Sequence, residues 1–351
     1  MTDRFLYKSG MLEPLKSTLA ENHISYTVYD ETVPNPTVTN VETARELYQN
    51  ENCQALIGFG GGSSIDCAKA VGARIARPNK SIPKMRGVLH VMWKIPFLIA
   101  IPTTAGTGSE TTLATVITDD RNGHKFPIND FALIPDAAVL DPEMTRTLPP
   151  NMTSTTGMDA LTHAIEAYIG RSTVKETRED ALEAARLIAE NLENAYRDGN
   201  DRTAQANMLQ AAFLAGRAFS KSYVGYCHAV AHSLGGKYHI PHGLANAVLL
   251  PYVLEDYGPS IYKKAKDIAA AMHLADAATP EKTAAQKLIA HIREMNQNMG
   301  IPAKLPGIQR DDIPQLAAYA DKEANPLYPV PVLMTREELE QFYYDVMEET
   351  V

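Results

Sequence analysis

The chain changes its periodicity once, at Leu148-Pro149-Pro150. Before that point, short β-rich runs alternate with helical stretches. The segment His23–Asp30 alternates at period two over its second half and stops at the turn-rich Val33-Pro34-Asn35-Pro36. The segments Ala55-Leu56-Ile57-Gly58-Phe59, Pro96 to Ile101 and Ala137 to Leu140 are short, continuously apolar runs. Strands of that kind, separated by helices, predict a parallel sheet covered on both faces. After the two prolines the spacing is helical almost throughout, and no convincing strand occurs. Within residues 178–197, Leu182, Ala185, Ile188, Ala189 and Leu192 recur at three- and four-residue steps, the stripe of an amphipathic helix. Thr279-Pro280 reads as an N-cap followed by proline at the first helical position, and Thr335-Arg336-Glu337-Glu338 as a capping box. The expectation is an α/β domain over residues 1–147 and an all-α domain over residues 148–351.

The length of 351 residues agrees with two domains, because one compact core rarely grows so large. With 45% hydrophobic and 21% charged residues the chain belongs with globular proteins, not disordered ones. Its 33 basic residues against 42 acidic ones leave a net charge of −9. That balance provides no electrostatic footprint for nucleic acid or an anionic membrane. The apolar stretch Pro96–Pro102 is far too short to span a bilayer. No basic segment followed by an apolar one opens the sequence, and Cys53, Cys67 and Cys227 have no zinc-ribbon spacing. The cysteines read as reduced thiols, so the expected location is the cytoplasm.

Two loops carry candidate chemistry in the first half. Gly60-Gly61-Gly62-Ser63-Ser64 follows one apolar run and precedes a helical stretch. Glycines let the backbone approach a ligand, and free N–H groups at a helix start suit a pyrophosphate. The third glycine of the usual dinucleotide fingerprint is missing, so a plain strand-to-helix turn stands beside that reading. Pro102 to Glu110 follows another run and packs hydroxyl residues around glycines. Alone it would be a polar loop. Two such loops at the ends of two parallel strands mark where open α/β sheets bind ligands, and together they favour a nucleotide.

Four of the ten histidines, His228, His232, His239 and His242, fall within fifteen residues. His228 and His232 share a helix face, and a reversal at Pro241 could return His242 toward it. Upstream, Asp159 and His163 form a second pair four residues apart. A carboxylate and imidazoles on facing helices suit a first-row divalent metal such as Fe²⁺ or Zn²⁺. His239 sits in the loop, where a structural role is as good a reading. Glu166, on the face of Asp159 and His163, reads as a partner that orients a ligand or as a surface ion-pair residue.

On Gly60–Ser63, Pro102–Glu110, Leu148–Gly170 and Gly225–Gly243, the chain resembles the iron-containing (group III) alcohol dehydrogenase family. The resemblance implies a Rossmann-like nucleotide-binding domain followed by an all-α metal-binding domain, the dehydroquinate synthase-like architecture. It implies that Asp159, His163, His228 and His242 are the metal ligands, with His232 beside the nicotinamide as a proton relay. It places Gly61, Gly62 and Ser63 on the pyrophosphate, Thr103, Thr104, Thr107 and Lys125 around the nicotinamide and its ribose, and Asn35 near the adenosine. The cofactor would lie in the cleft between the domains. Asp3 matches the acidic residue that meets the adenosine ribose, which favours NAD over NADP.

The implied activity is reversible hydride transfer between a primary alcohol or diol and NAD, with Fe²⁺ or Zn²⁺ bound. The implied partners are a small alcohol or aldehyde and a second copy in a homodimer, with neither nucleic acid nor membrane. Glycerol-dehydrogenase-like and dehydroquinate-synthase-like enzymes share the fold but rely on fewer metal ligands. A metal-dependent hydrolase or lyase would have no need of the nucleotide loops, and a binding module would leave the ligand spacing unexplained. Relatives carry a few tens of residues before the position of Thr2-Asp3, including a leading strand and the first strand of the nucleotide sheet. The expectation is therefore a sheet without that strand beside Asp3, with an exposed edge. The wall of the substrate pocket is expected near Phe131 and Tyr226.

Overall fold

The computed structural model describes residues 1–121 and 123–348. The chain divides into two compact units, Met1–Thr104 with Gly108–Thr145, and Ala105–Thr107 with Arg146–Val351.

The first unit holds helices α1 (Arg4–Lys8), α2 (Glu13–Glu21), α3 (Val38–Asn50) and α4 (Gly62–Ala76). Its strands are β1 (Ala55–Gly60), β2 (Gly87–Val88), β3 (Phe97–Pro102), β4 (Ala114–Asp119), β5 (His124–Asn129) and β6 (Ala137–Ala138). Strand β3 lies between β1 and β6, and both pairs are parallel, with Ala55 opposite Phe97 and Gly60 opposite Pro102. This is the sheet expected from the apolar runs. Its core joins Leu56 and Leu98 to Cys67, Ala68, Ala70 and Val71 of α4. Each large apolar side chain so buried contributes about 1.5–3 kcal/mol.

Two features differ from the expectation. A second sheet, in the order β2-β5-β4, is built on an antiparallel hairpin with Thr115 opposite Ile128 and Ile117 opposite Phe126. Burial alternates strictly along β4, but two of the three side chains it buries, Thr115 and Asp119, are polar, so its sequence carries neither an apolar alternation nor the continuous apolar run of the parallel strands. The segment His23–Asp30, expected as a strand, is not one. It is bound at Thr2, whose amide donates to Tyr29 O (2.9 Å) and whose carbonyl accepts from Thr32 N (3.3 Å). Met1 meets β1 on its other side, donating to Ile57 O at 2.8 Å and accepting from Phe59 N at 2.9 Å. Met1 therefore supplies two rungs beside β1, where the expectation was an unpartnered edge.

The second unit contains α5 (Pro150–Ile169), α6 (Lys175–Arg197), α7 (Arg202–Ser222), α8 (Tyr226–Tyr238), α9 (His242–Tyr257), α10 (Tyr262–Ala271), α11 (Glu281–Asn298), α12 (Ile313–Ala324) and α13 (Arg336–Val346). Every residue of α5 from Gly157 to Ile169 is buried, so this helix is the axis on which α6, α7 and α9 pack. A helix buried all round is a safe place for polar ligands only if each has a partner. Along α6 the expected stripe faces inward: Ala185, Ile188 and Leu192 are buried.

The capping box at Thr335 forms, Glu338 Oε2 accepting from Thr335 N at 2.7 Å and Thr335 Oγ1 from Glu338 N at 3.3 Å. Helix α11 begins one residue later than expected, with Pro280 as its cap. Thr279 Oγ1 is committed elsewhere, donating to Asp276 Oδ1 at 2.7 Å. Among the described residues this unit has no strand, only a bridge between Leu305 and Met347. No helix among them is long and apolar enough to cross a membrane.

Candidate metal centre and cofactor loops

In the second unit, Asp159, His163 and His228 each offer a ligand atom, and these atoms all lie within 4.8 Å of one another. The i,i+4 spacing puts the first two on one face of α5, and α8 brings His228 against it. The third histidine arrives through the turn between α8 and α9. His239 takes a left-handed conformation (φ 57°) as the C-cap of α8, and Pro241 precedes the first residue of α9, which is His242. His239 thus has a structural role. The reversal leaves His242 Nε2 3.5 Å from Asp159 Oδ1, with its ring centroid 5.4 Å from that of His228. His242 stands beside the tight group of three, on its more exposed side.

Fixed hydrogen bonds orient these groups. Glu166 Oε2 accepts the Gly225 amide at 2.8 Å and faces His228 Nδ1 at 2.6 Å, while Oε1 accepts the Cys227 amide at 2.8 Å. A carboxylate on α5 thereby satisfies donors at the start of α8, where the helix dipole is positive. It also holds His228 with Nε2 turned toward Asp159 Oδ1, 3.7 Å away. Burial pushes the Glu166 carboxyl up to about 7, while its bonds to Gly225, Cys227 and His228 pull the other way. Burial lowers the pKa of His163, and burial followed by the neighbouring histidines lowers that of His228 well below the usual range. Burial thus favours the neutral imidazole at both, the form that binds metal. His163 stacks on Phe219, ring centroids 4.2 Å apart.

Two residues at this centre escaped the sequence reading. Asn246 is fully buried and donates from Nδ2 to Asp159 Oδ1 at 2.7 Å. Its place four residues after His242 was the available signal. Glu323 on α12 lies 2.6 Å from His232 Nδ1 and accepts from Tyr328 at 2.7 Å, and nothing local in the sequence joins it to His232. His232 stacks on His242 at 5.1 Å.

The donor set fits a divalent metal. His163 Nδ1 and His228 Nε2 are buried and have no hydrogen-bond partner. Orphaned polar atoms at such depth are costly unless something binds them. A carboxylate and imidazoles without thiolate match iron or zinc.

In the first unit, the predicted loop residues gather at the C-terminal ends of β1 and β3. Gly60 has φ +143°, and a Cβ there would lie 2.8 Å from Ser64 Cβ, so the turn into α4 needs glycine. Its carbonyl accepts from Thr103 N at 3.0 Å. Gly61 caps α4, and a Cβ placed on it would meet the Thr104 side chain at 3.5 Å. Gly62 and Ser63 open the helix, and Asn35 N donates to Ser63 Oγ at 3.2 Å. Asn35, Gly61, Gly62, Ser63, Thr103 and Thr104 are thus brought together around free amides of a helix N-terminus. Asp3 caps α1, its Oδ1 accepting from Leu6 N at 2.9 Å. Lys125 lies on β5 with its side chain exposed, and Thr107 belongs to the second unit. Tyr226, expected at a pocket wall, is fully buried, its hydroxyl donating to Asn325 Oδ1 and accepting from Met334 N.

A parallel-sheet unit with a glycine loop, followed by a helical unit with a carboxylate–imidazole centre, defines the dehydroquinate synthase-like class of two-unit enzymes. Within that class the chain belongs to the iron-containing alcohol dehydrogenase family. Residues 1–142 match the family described as iron-containing alcohol dehydrogenase, and residues 153–347 match its C-terminal domain. The chain is 43% identical over 254 residues to the probable alcohol dehydrogenase EutG of Salmonella typhimurium, a match that covers 72% of this chain and 64% of that protein. It is 35% identical to the NAD-dependent methanol dehydrogenase of Bacillus methanolicus, over 91% of this chain and 84% of that one. The crystal structure of a 1,3-propanediol oxidoreductase superposes with a TM-score of 0.94 at 35% identity, covering 99% of this chain and 91% of that one. The protein is an oxidoreductase of the alcohol dehydrogenase class.

Proposed function

We propose that the protein catalyses reversible hydride transfer between a primary alcohol or diol and NAD, with Fe²⁺ held by Asp159, His163, His228 and His242 and Zn²⁺ as the alternative metal. The observation that carries this reading is the buried group Asp159, His163 and His228, with two imidazole nitrogens unpartnered. When bound, the metal supplies Lewis acidity, which lowers the pKa of an alcohol and polarises an aldehyde.

The chain's own residues divide the remaining work. Glu166 keeps the proton of His228 on Nδ1, so that Nε2 presents its lone pair toward Asp159. Asn246 holds Asp159 Oδ1 in place. His232 is the proton relay: Glu323 Oε1 faces its Nδ1 and holds a proton there, and at 42% side-chain exposure the ring can exchange that proton with solvent. The glycine loop and Thr103, Thr104, Thr107 and Lys125 bind the pyrophosphate and the nicotinamide ribose, with Asn35 near the adenosine. Asp3 favours NAD, since a carboxylate hydrogen-bonds a ribose hydroxyl and repels a 2′-phosphate.

We read the molecule as a cytoplasmic homodimer, supported by three free cysteines and by the exposed apolar run Val88, Leu89, Met92 and Trp93. NADH oxidation with a panel of aldehydes, on metal-free protein reconstituted separately with Fe²⁺ and Zn²⁺, tests the function. Turnover with at least one metal is expected. Failure with both metals across the panel overturns the reading, and a preference for NADPH with Asp3 intact overturns the cofactor assignment.

A further inference from the structure

Lys69 is the most deeply buried charged group of the first unit, with 0% of its surface exposed. It sits on α4, two turns after the glycine loop, and its ammonium donates to three acceptors. These are Thr112 O at 2.7 Å, Thr112 Oγ1 at 3.0 Å and Ala114 O at 2.9 Å. One turn earlier on the same helix, Asp66 grips the same stretch of chain. Its Oδ1 accepts from Ser109 Oγ at 2.6 Å and its Oδ2 from Val116 N at 2.9 Å, while its carbonyl accepts from Thr115 Oγ1 at 2.8 Å. Residues 109–116 are therefore tied to α4 at five positions by two side chains and one carbonyl. This stretch continues the loop that contains Thr103, Thr104 and Thr107, and α4 begins at Gly62.

Burying an ammonium is expensive, and an apolar side chain of similar length would fill the same space without that cost. A lysine at such a position needs a reason other than packing. The contacts supply one: a single helix carries the glycine loop at its start and, one and two turns later, the ties that fix the course of the second loop. We propose that Lys69 and Asp66 are positioning residues for the cofactor, holding the hydroxyl-rich loop in register with the glycine loop from behind. Neither touches the cofactor. The inference rests on the proposed role of the two loops in binding NAD.

The test is Lys69→Met in the metal-loaded enzyme, with the NADH dissociation constant, the KM for NAD, kcat, metal content and melting temperature all measured. NAD binding should weaken about tenfold, the scale of losing a charged, buried hydrogen-bonding partner, while kcat falls less than about twofold. Metal content should not change. Some loss of melting temperature is expected because two carbonyls lose their donor. Leu133→Ala, a truncation in the same core, serves as the matched control, losing stability but not NAD affinity. Should Lys69→Met fail to fold, the combined Ser109→Ala and Thr112→Val variant removes two ties and should weaken NAD binding about threefold.

Unchanged NAD affinity in a folded Lys69→Met enzyme overturns the inference. So does an equal loss of affinity in Leu133→Ala at the same loss of melting temperature. Thr104→Ala separates the two levels of the argument. If it too leaves NAD binding intact, the reading of the loops fails. If it weakens binding while Lys69→Met does not, the clamp alone fails.

Discussion

Glu166 Oε2 lies 2.6 Å from His228 Nδ1, and the same oxygen accepts the Gly225 amide at 2.8 Å. One carboxylate on α5 therefore fixes both the start of α8 and the ring that α8 presents to Asp159. Removing its charge while keeping its shape separates orientation from packing. Glu166→Gln should weaken metal affinity about 10- to 100-fold, the usual effect of losing the partner behind a metal-binding histidine. Competition with a chromogenic chelator measures it directly, and an unchanged affinity would show that Glu166 serves only α8.

The three-plus-one arrangement of the proposed ligands predicts a graded loss. His163→Ala and His228→Ala each remove a buried member of the tight group, and both should abolish metal binding and activity together. His242→Ala removes a partly exposed ring and should lower metal affinity while leaving more residual metal than the other two. Metal analysis of purified protein reads the order. Full metal stoichiometry in His228→Ala would exclude it as a ligand.

His232→Ala should lower kcat about 10²- to 10⁴-fold, the range of general acid–base contributions, with metal content intact. Glu323→Gln should fall in the same direction by a smaller factor. Steady-state kinetics beside metal analysis decides, and loss of metal in His232→Ala would move that residue into the ligand set.

Burial pushes the Glu110 carboxyl from near 4.5 up to about 7, although its backbone hydrogen bond and the Lys69 ammonium pull it down. A folded value above the unfolded one means that the folded chain holds the proton more tightly. Its stabilising contribution is therefore complete below pH 4.5 and is lost as pH rises through about 7. Glu110→Gln removes that loss. Its melting temperature should exceed that of the parent at a pH near 8 and approach it at a pH near 4. Thermal melts across this range show the effect as a flatter profile, and a mutant less stable than the parent at the upper end would contradict it.

Much of this could be read locally. The two i,i+4 pairs, the capping box at Thr335, the stripe on α6 and the apolar runs of β1 and β3 are all set by residues within one or two turns of each other. The hairpin of β4 and β5 is equally local but not legible, because β4 buries Thr115 and Asp119 beside Ile117 and so shows no apolar alternation. The segment His23–Asp30 misled for the converse reason: its alternation is real, but its backbone bonds to Thr2 and forms no strand.

Local spacing specifies the elements and the chemical types they carry: a glycine turn before a helix, a hydroxyl-rich loop, and carboxylate and imidazole on single helix faces. Periodicity encodes these because side chains three or four residues apart share a surface. Which of them meet is set by the packing of the folded chain. Asp159 finds His228 and Asn246 across 69 and 87 residues, Glu166 reaches two amides of α8, Glu323 reaches His232, and Lys69 reaches Thr112. These contacts arise where buried polar groups must find partners once the helices pack. That requirement acts between surfaces far apart in the chain and leaves no mark in the spacing of either.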